Sequence, residues 1–471
     1  MVSELLSIKN LSLRYPQSEV AALAELNLTV NHGEALFVTG HSGSGKTSLA
    51  RLINGLGWNY YGAKIEGEIL LEGQSILTQN LFSIAKSVKT VFQEPDREIF
   101  ALTPKDDFLL ALECRGVDQR EARELLELWY EKSELKEAAE RPVHLLSSGE
   151  KQKAVLACAL ALKPKIILLD EPTSNLDLQS TKVLLESLKE AKKEGAAIII
   201  TDHRWQWLEE LIDRAALLEN GRLKDLKETS VINLKTLAQK WSLRPTVEND
   251  DSPPPPPAPD GAQPFRVEGL SFAFNDKKNK SGVKTIFTNL GFSLPKESAL
   301  AVTGPNGSGK TTLARLLAGL AEPSAGAVFF SGRKASKNHR LALTSLALQN
   351  AERQLAMNSA QAELAQAASA SKAFSQDLEN YLSQWGLENL SQRHPQSLSG
   401  GEKQRLVLAC TFARKADLLI LDEPTAGLDD ERLSMVAEKV RQRAHEGGRV
   451  ILITHDRHLV LNCCQSELKL N

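Results

Sequence analysis

The sequence predicts an α/β fold built twice, and two observations carry that prediction. First, short apolar runs end at chemistry. Ala35–Thr39 runs into Gly40, residues 165–169 into Asp170, and residues 418–421 into Asp422. Continuous apolar runs of this length are the pattern of parallel strands covered on both faces, with helices between them. Second, the chain repeats itself at a constant offset. Ser147 and Ser399, Asp170 and Asp422, Asp177 and Asp429, and His203 and His455 are each separated by 252 positions. A constant offset over four landmarks means that the intervening structure is matched in length.

Taken in order, each half begins with a strand-like run, IKNLSLRY at 8–15 and VEGLSFAF at 267–274. A strand and a glycine-rich loop follow, GHSGSGKTSL at 40–49 and GPNGSGKTTL at 304–313. Then come LSSGEKQ at 146–152 with LSGGEKQ at 398–404, and LLDEPTSNLD at 168–177 with ILDEPTAGLD at 420–429. Between the halves lie Asp251 and Ser252, five consecutive prolines at 253–257, Ala258 and Pro259. Consecutive prolines lack amide donors and favour an extended polyproline II spacer. The expected domains are therefore 1–240 and 264–471, with 241–263 as a proline-rich linker.

Composition excludes several classes. The 471 residues are 42% hydrophobic and 25% charged, the balance of a soluble globular chain long enough for two or three domains. A formal charge of -2 gives no overall field toward nucleic acid or anionic lipid. No apolar run approaches the roughly 18 to 20 residues that span a bilayer, and residues 1–10 lack the pattern of a signal peptide. Cys114, Cys158, Cys410, Cys463 and Cys464 form no CxxC pair, so neither a disulfide framework nor a zinc site is expected and a reducing compartment fits.

The glycine-rich loops match G-x-x-x-x-G-K-[ST]. Glycine lets successive backbone amides converge on phosphate oxygens at a helix N-terminus, where the helix dipole favours anions. The phosphate-cradling residues would be Gly40, His41, Ser42, Gly43, Ser44, Gly45, Lys46, Thr47 and Ser48 in one half. In the other they would be Gly304, Pro305, Asn306, Gly307, Ser308, Gly309, Lys310, Thr311 and Thr312. Lys46 and Lys310 would reach the β- and γ-phosphates of ATP, and Thr47 and Thr311 would offer a hydroxyl to Mg²⁺. Asp170 and Asp422, at strand ends, are the expected acidic Mg²⁺ ligands. Glu171 and Glu423, each 24 positions after Ser147 or Ser399, are the candidates to orient or activate water.

The loops, the LS[SG]G runs, the LDEPT runs and the two histidines together resemble the motif set of the ABC ATPase superfamily, over nearly the whole chain. That resemblance implies tandem P-loop NTPase (ABC-type) domains. Each would have a parallel-sheet core, an antiparallel β subdomain and a helical signature subdomain. It implies two ATP sites formed head-to-tail between the halves. Site one would combine Lys46, Thr47, Gln93, Asp170, Glu171 and His203 with Ser399 and Gly401. Site two would combine Lys310, Thr311, Gln349, Asp422, Glu423 and His455 with Ser147 and Gly149. In this reading Gln93 and Gln349 add to the metal ligands, and the histidines, each 32 residues after the glutamate, contact the γ-phosphate. Tyr15 and Phe274 match the aromatic that stacks on adenine, and Asp177 and Asp429 match the loop that couples the sites. One departure stands out: Ser148 occupies the place of Gly400. Its Cβ would hinder approach if that backbone needs positive φ or tight contact, and site two would then turn over more slowly.

Residues 91–107, VFQEPDREIFALTPKDD, resemble the Q-x-P-x-x-Q-[IL]-F stretch of energy-coupling factor (ECF) transporter ATPases. The second half keeps a faded copy with Gln349, Gln354 and Leu355, but Ala351 and Ala356 replace the proline and phenylalanine. TDHR at 201–204 also looks like a variant of fused ECF ATPases. The implied partners are a transmembrane coupling protein, docked through Ile99, Phe100 and Leu102, and a small substrate-binding membrane subunit. They would hold the chain at the cytoplasmic face of the membrane for import of a vitamin, a vitamin precursor or a metal ion. A fused sugar-importer ATPase shares the length and layout. An ABC-F translation factor would carry a long charged helical linker. A DNA-repair ATPase would need a coiled-coil or zinc insertion, and the 124 residues from Lys46 to Asp170 show no heptad run.

Overall fold

The computed structural model describes residues 3–16, 18–41, 43–92, 95–174, 176–202, 205–228, 234–241, 252–260, 264–275, 283–305, 307–351, 354–370, 377–425 and 430–470. The chain divides into two compact units, Met1–Thr246 and Val247–Asn471.

Along the first unit run β1 (Glu4–Arg14), β2 (Leu23–Asn31), β3 (Ala35–Thr39), β4 (Lys64–Leu71), β5 (Gln74–Ser75), β6 (Val88–Val91), β7 (Ile166–Asp170), β8 (Ala197–Thr201), β9 (Arg214–Glu219) and β10 (Arg222–Glu228). They make an antiparallel sheet of order β2-β1-β4-β5 and a central sheet of order β10-β9-β3-β8-β7-β6. In the central sheet only the β10–β9 pairing is antiparallel. Every residue of β3, β7 and β8 is buried, as their unbroken apolar runs require. Helices Pro104–Glu113 and Gln119–Lys132 pack with the helix Ser148–Ala161 around Phe108, Leu112, Tyr130 and Leu146, a separate small helical core.

The second unit continues with β11 (Arg266–Asn275), β12 (Val283–Ser293), β13 (Ser298–Thr303), β14 (Ala325–Phe330), β15 (Arg333–Lys334), β16 (Thr344–Ala347), β17 (Leu418–Asp422), β18 (Arg449–Ile453) and β19 (Ser466–Lys469). The antiparallel sheet is β12-β11-β14-β15 and the central, all-parallel one is β16-β17-β18-β13-β19. The architecture is thus the expected α/β plan, made twice, with parallel cores, antiparallel sheets and helical subdomains.

The two units differ at one sheet edge. In the first, β10 covers β9; in the second, β19 is the edge strand among the described residues. Part of the proline-rich segment lies along that edge. Glu467 N in β19 donates to Pro254 O at 2.8 Å, and beyond that edge Ser293 N, at the end of β12 in the antiparallel sheet, donates to Pro257 O at 2.8 Å. Prolines give no amide but keep their carbonyls, so they cap an edge without extending it. Residues 252–259, expected only as spacer, are therefore packed against the second unit.

Arg457 ties this strap down. Its guanidinium donates to Ser252 Oγ at 2.9 Å and to both oxygens of Glu467 at 2.9 and 3.0 Å. The Glu467 carboxyl is nearly buried. Burial raises its pKa, but the Thr303 hydroxyl and Arg457 overcome that and hold it below the ordinary value. Arg457→Ala is expected to destabilise the second unit by about 1–3 kcal/mol, because a buried charged acceptor loses its donor. A group with a depressed folded pKa stabilises above its unfolded value and loses that contribution as the pH falls through the folded one. The deficit of the variant in denaturant unfolding should therefore be full at neutral pH and shrink in acid.

Candidate active site

Both glycine-rich loops sit at the carboxyl end of a central strand, β3 or β13, and open a helix, Lys46–Ile53 or Lys310–Leu317. That edge of an open parallel sheet is where α/β folds place ligands. Gly40 has φ 153° and a Cβ there would lie 2.1 Å from Leu218 O; at Gly304, φ 145°, the distance to Leu470 O is 2.2 Å. Glycine is required at both. The Lys46 ammonium donates to Gly40 O at 2.7 Å and His41 O at 3.0 Å, and Lys310 repeats this with Gly304 O and Pro305 O at 2.7 and 2.9 Å. Each cation is thereby held across its own loop. The Ser44 and Ser308 hydroxyls are buried with no hydrogen-bond partner among the described residues, as donors left for an anion would be.

Behind each loop a hydroxyl meets a carboxylate. Thr47 Oγ1 donates to Asp170 Oδ2 at 3.2 Å, and Thr311 Oγ1 donates to Asp422 Oδ2 at 2.8 Å. Burial pushes the Asp422 carboxyl up to about 6 against the hydrogen bond from Thr311 and the charges of Lys310 and Arg315. Burial, then the neighbouring Glu171, likewise raises Asp170. Paired hard oxygen donors of this kind suit Mg²⁺.

Glu171 and Glu423 follow their strands at φ 49° and 48°, in the left-handed region. Each amide is pinned to the neighbouring strand: Glu171 N donates to Thr201 O and Glu423 N to Ile453 O, both at 2.8 Å. In the second unit Thr454 Oγ1 donates to Glu423 Oε2 at 3.3 Å, and His455 Nε2 lies 3.6 Å from Glu423 Oε1. The geometry thus gathers Lys310, Thr311, Asp422, Glu423 and His455 in one place. In the first unit it gathers Lys46, Thr47, Asp170 and Glu171.

Ser147 and Ser399 are the N-caps of the helices Ser148–Ala161 and Gly400–Ala413, each in a capping box with Glu150 or Glu402. Gly149 and Gly401 lie in the first turns of these helices. Neither Ser148 nor Gly400 has positive φ. The backbone strain that glycine would relieve is therefore absent at Ser148. Tyr15 follows β1 and its hydroxyl donates to Ser48 Oγ at 3.4 Å, which places the ring beside the loop helix. Ser42, Gln93, His203, Asn306, Asp429 and the Phe274 side chain lie outside the described residues.

Three features were not anticipated. Tyr61 packs edge-on against Tyr15 with ring centroids 6.2 Å apart, and the Arg51 guanidinium lies 4.2 Å from the Tyr61 ring. An aromatic and basic wall therefore flanks the first loop; the adjacent Tyr60–Tyr61 pair was its only sequence signal. At the place of Thr454 the first unit has Asp202, bound by Thr173 Oγ1 at 2.8 Å and Trp207 Nε1 at 3.3 Å. Glu98 takes the place of Gln354: its Oε1 accepts from Phe92 N at 2.7 Å, as Gln354 Oε1 does from Leu348 N at 2.7 Å.

The sequence pattern of the family described as "ABC transporter" matches residues 23–174 and 287–426. A Treponema denticola protein named "Putative ABC transporter ATP-binding protein" is 32% identical, across 99% of this chain and 95% of its own length. A Bacillus subtilis protein named "Putative HMP/thiamine import ATP-binding protein YkoD" is 30% identical, across 99% of this chain and 90% of its own. A solved complex of archaeal ribosomal stalk protein aP1 with the ribosome recycling factor aABCE1 superposes over 98% of this chain and 87% of that one, with TM-score 0.63 and 19% identity. That last likeness is one of fold alone.

Proposed function

The chain belongs to the ABC transporter family as an ATP-binding, ATP-hydrolysing protein with two such domains, and from that premise we propose that it energises an importer of the energy-coupling factor type. One observation carries the finer reading. In the Q-x-P stretch, Phe100 is 86% and Leu102 85% exposed, although both are large and apolar. Leu102 O accepts the Val143 amide at 2.9 Å, which links this stretch to Leu145, 62% exposed and two residues before the signature serine Ser147. Apolar side chains gathered on a surface mark a docking site. Here they connect it directly to the helix that would grip phosphate. In the second unit Ala356 and Asn358 stand at the places of Phe100 and Leu102. The relative named for HMP/thiamine import supports the importer reading, with a vitamin, a vitamin precursor or a metal ion as solute. No helix of the described residues is long and apolar enough to cross a membrane, so the pathway for the solute would belong to partners: a transmembrane coupling protein and a small substrate-binding subunit. The chain would work at the cytoplasmic face of the membrane.

In this reading each ATP lies between a loop of one unit and the signature helix of the other. Lys46 or Lys310 leaves its loop carbonyls for the β- and γ-phosphates, and the loop amides with Ser44 or Ser308 cradle them. Thr47 with Asp170, and Thr311 with Asp422, would hold Mg²⁺, joined by Gln93 and Gln349; the ion supplies charge neutralisation on the phosphates. Glu171 and Glu423 orient and deprotonate the attacking water, and His203 and His455 contact the γ-phosphate. Ser399 with Gly401, and Ser147 with Gly149, close the sites from the facing helices. Tyr15 and Phe274 stack on adenine.

Phe100→Ala is expected to reduce co-purification of the chain with its membrane partner several-fold while leaving ATP affinity within about twofold, since Phe100 is exposed and belongs to neither glycine-rich loop. Unchanged co-purification from solubilised membranes would remove the docking assignment.

A further inference from the structure

The loop helix Lys46–Ile53 is tethered to two tyrosines of the first unit. Near its start Ser48 Oγ accepts from the Tyr15 hydroxyl at 3.4 Å, and one turn on the Arg51 guanidinium lies 4.2 Å from the centre of the Tyr61 ring. The Tyr15 and Tyr61 rings meet at 84° with centroids 6.2 Å apart, and Tyr60 closes on Tyr61 at 5.0 Å and 86°. An edge-to-face pair uses one face of a ring at most, so Tyr61 leaves at least one face of Tyr15 for another partner. The second unit is built differently here. Between Gly55 and Gly67 the first unit has eleven residues, 56–66, with Trp58, Tyr60 and Tyr61 among them; between Gly319 and Gly326 the second has six, 320–325, none aromatic. All four glycines have positive φ, which marks the two stretches as matching. In the second, Ser324 holds the backbone ahead of Phe274: its Oγ accepts from Ala273 N at 3.3 Å and its N donates to Ser271 O at 2.9 Å. Arg315, at the place of Arg51, adds its charge to the surroundings of Asp422.

We propose that Tyr61 is a positioning residue for the first nucleotide site: anchored to the loop helix by Arg51, it holds the Tyr15 ring in the orientation that stacks on the base of ATP. This rests on the assignment of Tyr15 to adenine. Both tethers start from the helix whose first turn faces the phosphates, so a single rigid element spaces the base wall from the phosphate cradle. A stacking contact is gained only while the ring is in the right rotamer, and affinity falls in proportion to the time it is elsewhere. Without Tyr61 that time grows. The phosphates, met by the loop amides and Lys46, do not depend on it.

The test is calorimetric titration of the full chain carrying Lys310→Ala, so that the first loop is read alone. The probes are Mg-ATP and inorganic tripolyphosphate with Mg²⁺, which offers a chain of three phosphates and no base. Tyr61→Ala should weaken ATP by about three- to tenfold, the worth of one aromatic pair, and tripolyphosphate by less than about twofold. Tyr61→Phe keeps the ring and should return ATP affinity to within about twofold of the parent chain. Unchanged ATP affinity in Tyr61→Ala, equal losses for both probes, or no recovery in Tyr61→Phe overturns the proposal. Tyr15→Ala is measured beside them. If it weakens ATP while Tyr61→Ala does not, the positioning role falls and the adenine assignment stands; if it leaves ATP affinity unchanged, both fall.

Discussion

Replacing Glu171 and Glu423 together by Gln should leave ATP binding close to the wild-type level and lower steady-state turnover roughly a thousandfold, within the range that a lost general base removes. Both glutamates are held in the left-handed region, φ 49° and 48°, by amides bonded to the next strand at 2.8 Å. Such backbone costs about 1 kcal/mol or more in a residue with a Cβ, and its recurrence in both units marks a place where direction matters. Gln keeps the shape and the polar contacts but takes no proton. Phosphate release measured beside nucleotide binding separates the two effects. Turnover above a tenth of wild type would contradict the role given to these carboxyls. The single variants add a comparison, because Thr454 donates to Glu423 while the matching place in the first unit is the carboxylate Asp202.

Gly40→Ala and Gly304→Ala should each weaken ATP binding at their own loop by a hundredfold or more, a loss of about 3 kcal/mol. Each new Cβ would lie 2.1 or 2.2 Å from a carbonyl oxygen, that of Leu218 in β9 or of Leu470, the residue after β19, whose amide is bonded to Thr303 O at 2.8 Å. Neither strand can yield, because β9 and β19 are bonded into the central sheets. The loop itself must move, and with it the amides that would meet phosphate. Gly43→Ala is the contrast. Among the described residues its Cβ meets nothing within 4 Å, and φ 81° opposes it, a strain of about 1–2 kcal/mol. Binding should suffer clearly less there, by about tenfold, in calorimetric titration of folded protein. Equal losses at Gly40 and Gly43 would mean that close approach to the strand is not what shapes the loop.

The repeated plan was readable because its chemistry is local. A buried strand, a glycine loop and a helix start follow one another in sequence, so the loop at 40–47 and the one at 304–311 could be placed before any contact was known. The residues brought together across the sheet, Thr47 with Asp170 and Thr311 with Asp422, were readable from the motif resemblance and sit within 3.2 Å. What escaped was decided by neighbours far apart in sequence. A proline run reads as a spacer whether it faces water or a strand edge, and only Glu467 and Ser293 reveal that its carbonyls are in use. Tyr61 gave no sign that it would meet Tyr15. Ser148 suggested backbone strain because it replaces a glycine, yet its φ is ordinary, since a helix's first turn accepts any side chain. Glu98 stands where the second unit has Gln354, and its bond to the Phe92 amide could not be read from the sequence.

If each ATP lies between a loop of one unit and the signature helix of the other, as proposed, adding Ser399→Asp to the Glu171→Gln, Glu423→Gln chain should change how much nucleotide it retains. Asp keeps the N-cap bond that Ser399 makes to Glu402 N, so the helix survives, but it sets a negative charge where the γ-phosphate of site one would be clasped. Retained ATP should fall from two per chain to about one, lost at the Lys46 loop and kept at the Lys310 loop. Undiminished retention at both loops would contradict it.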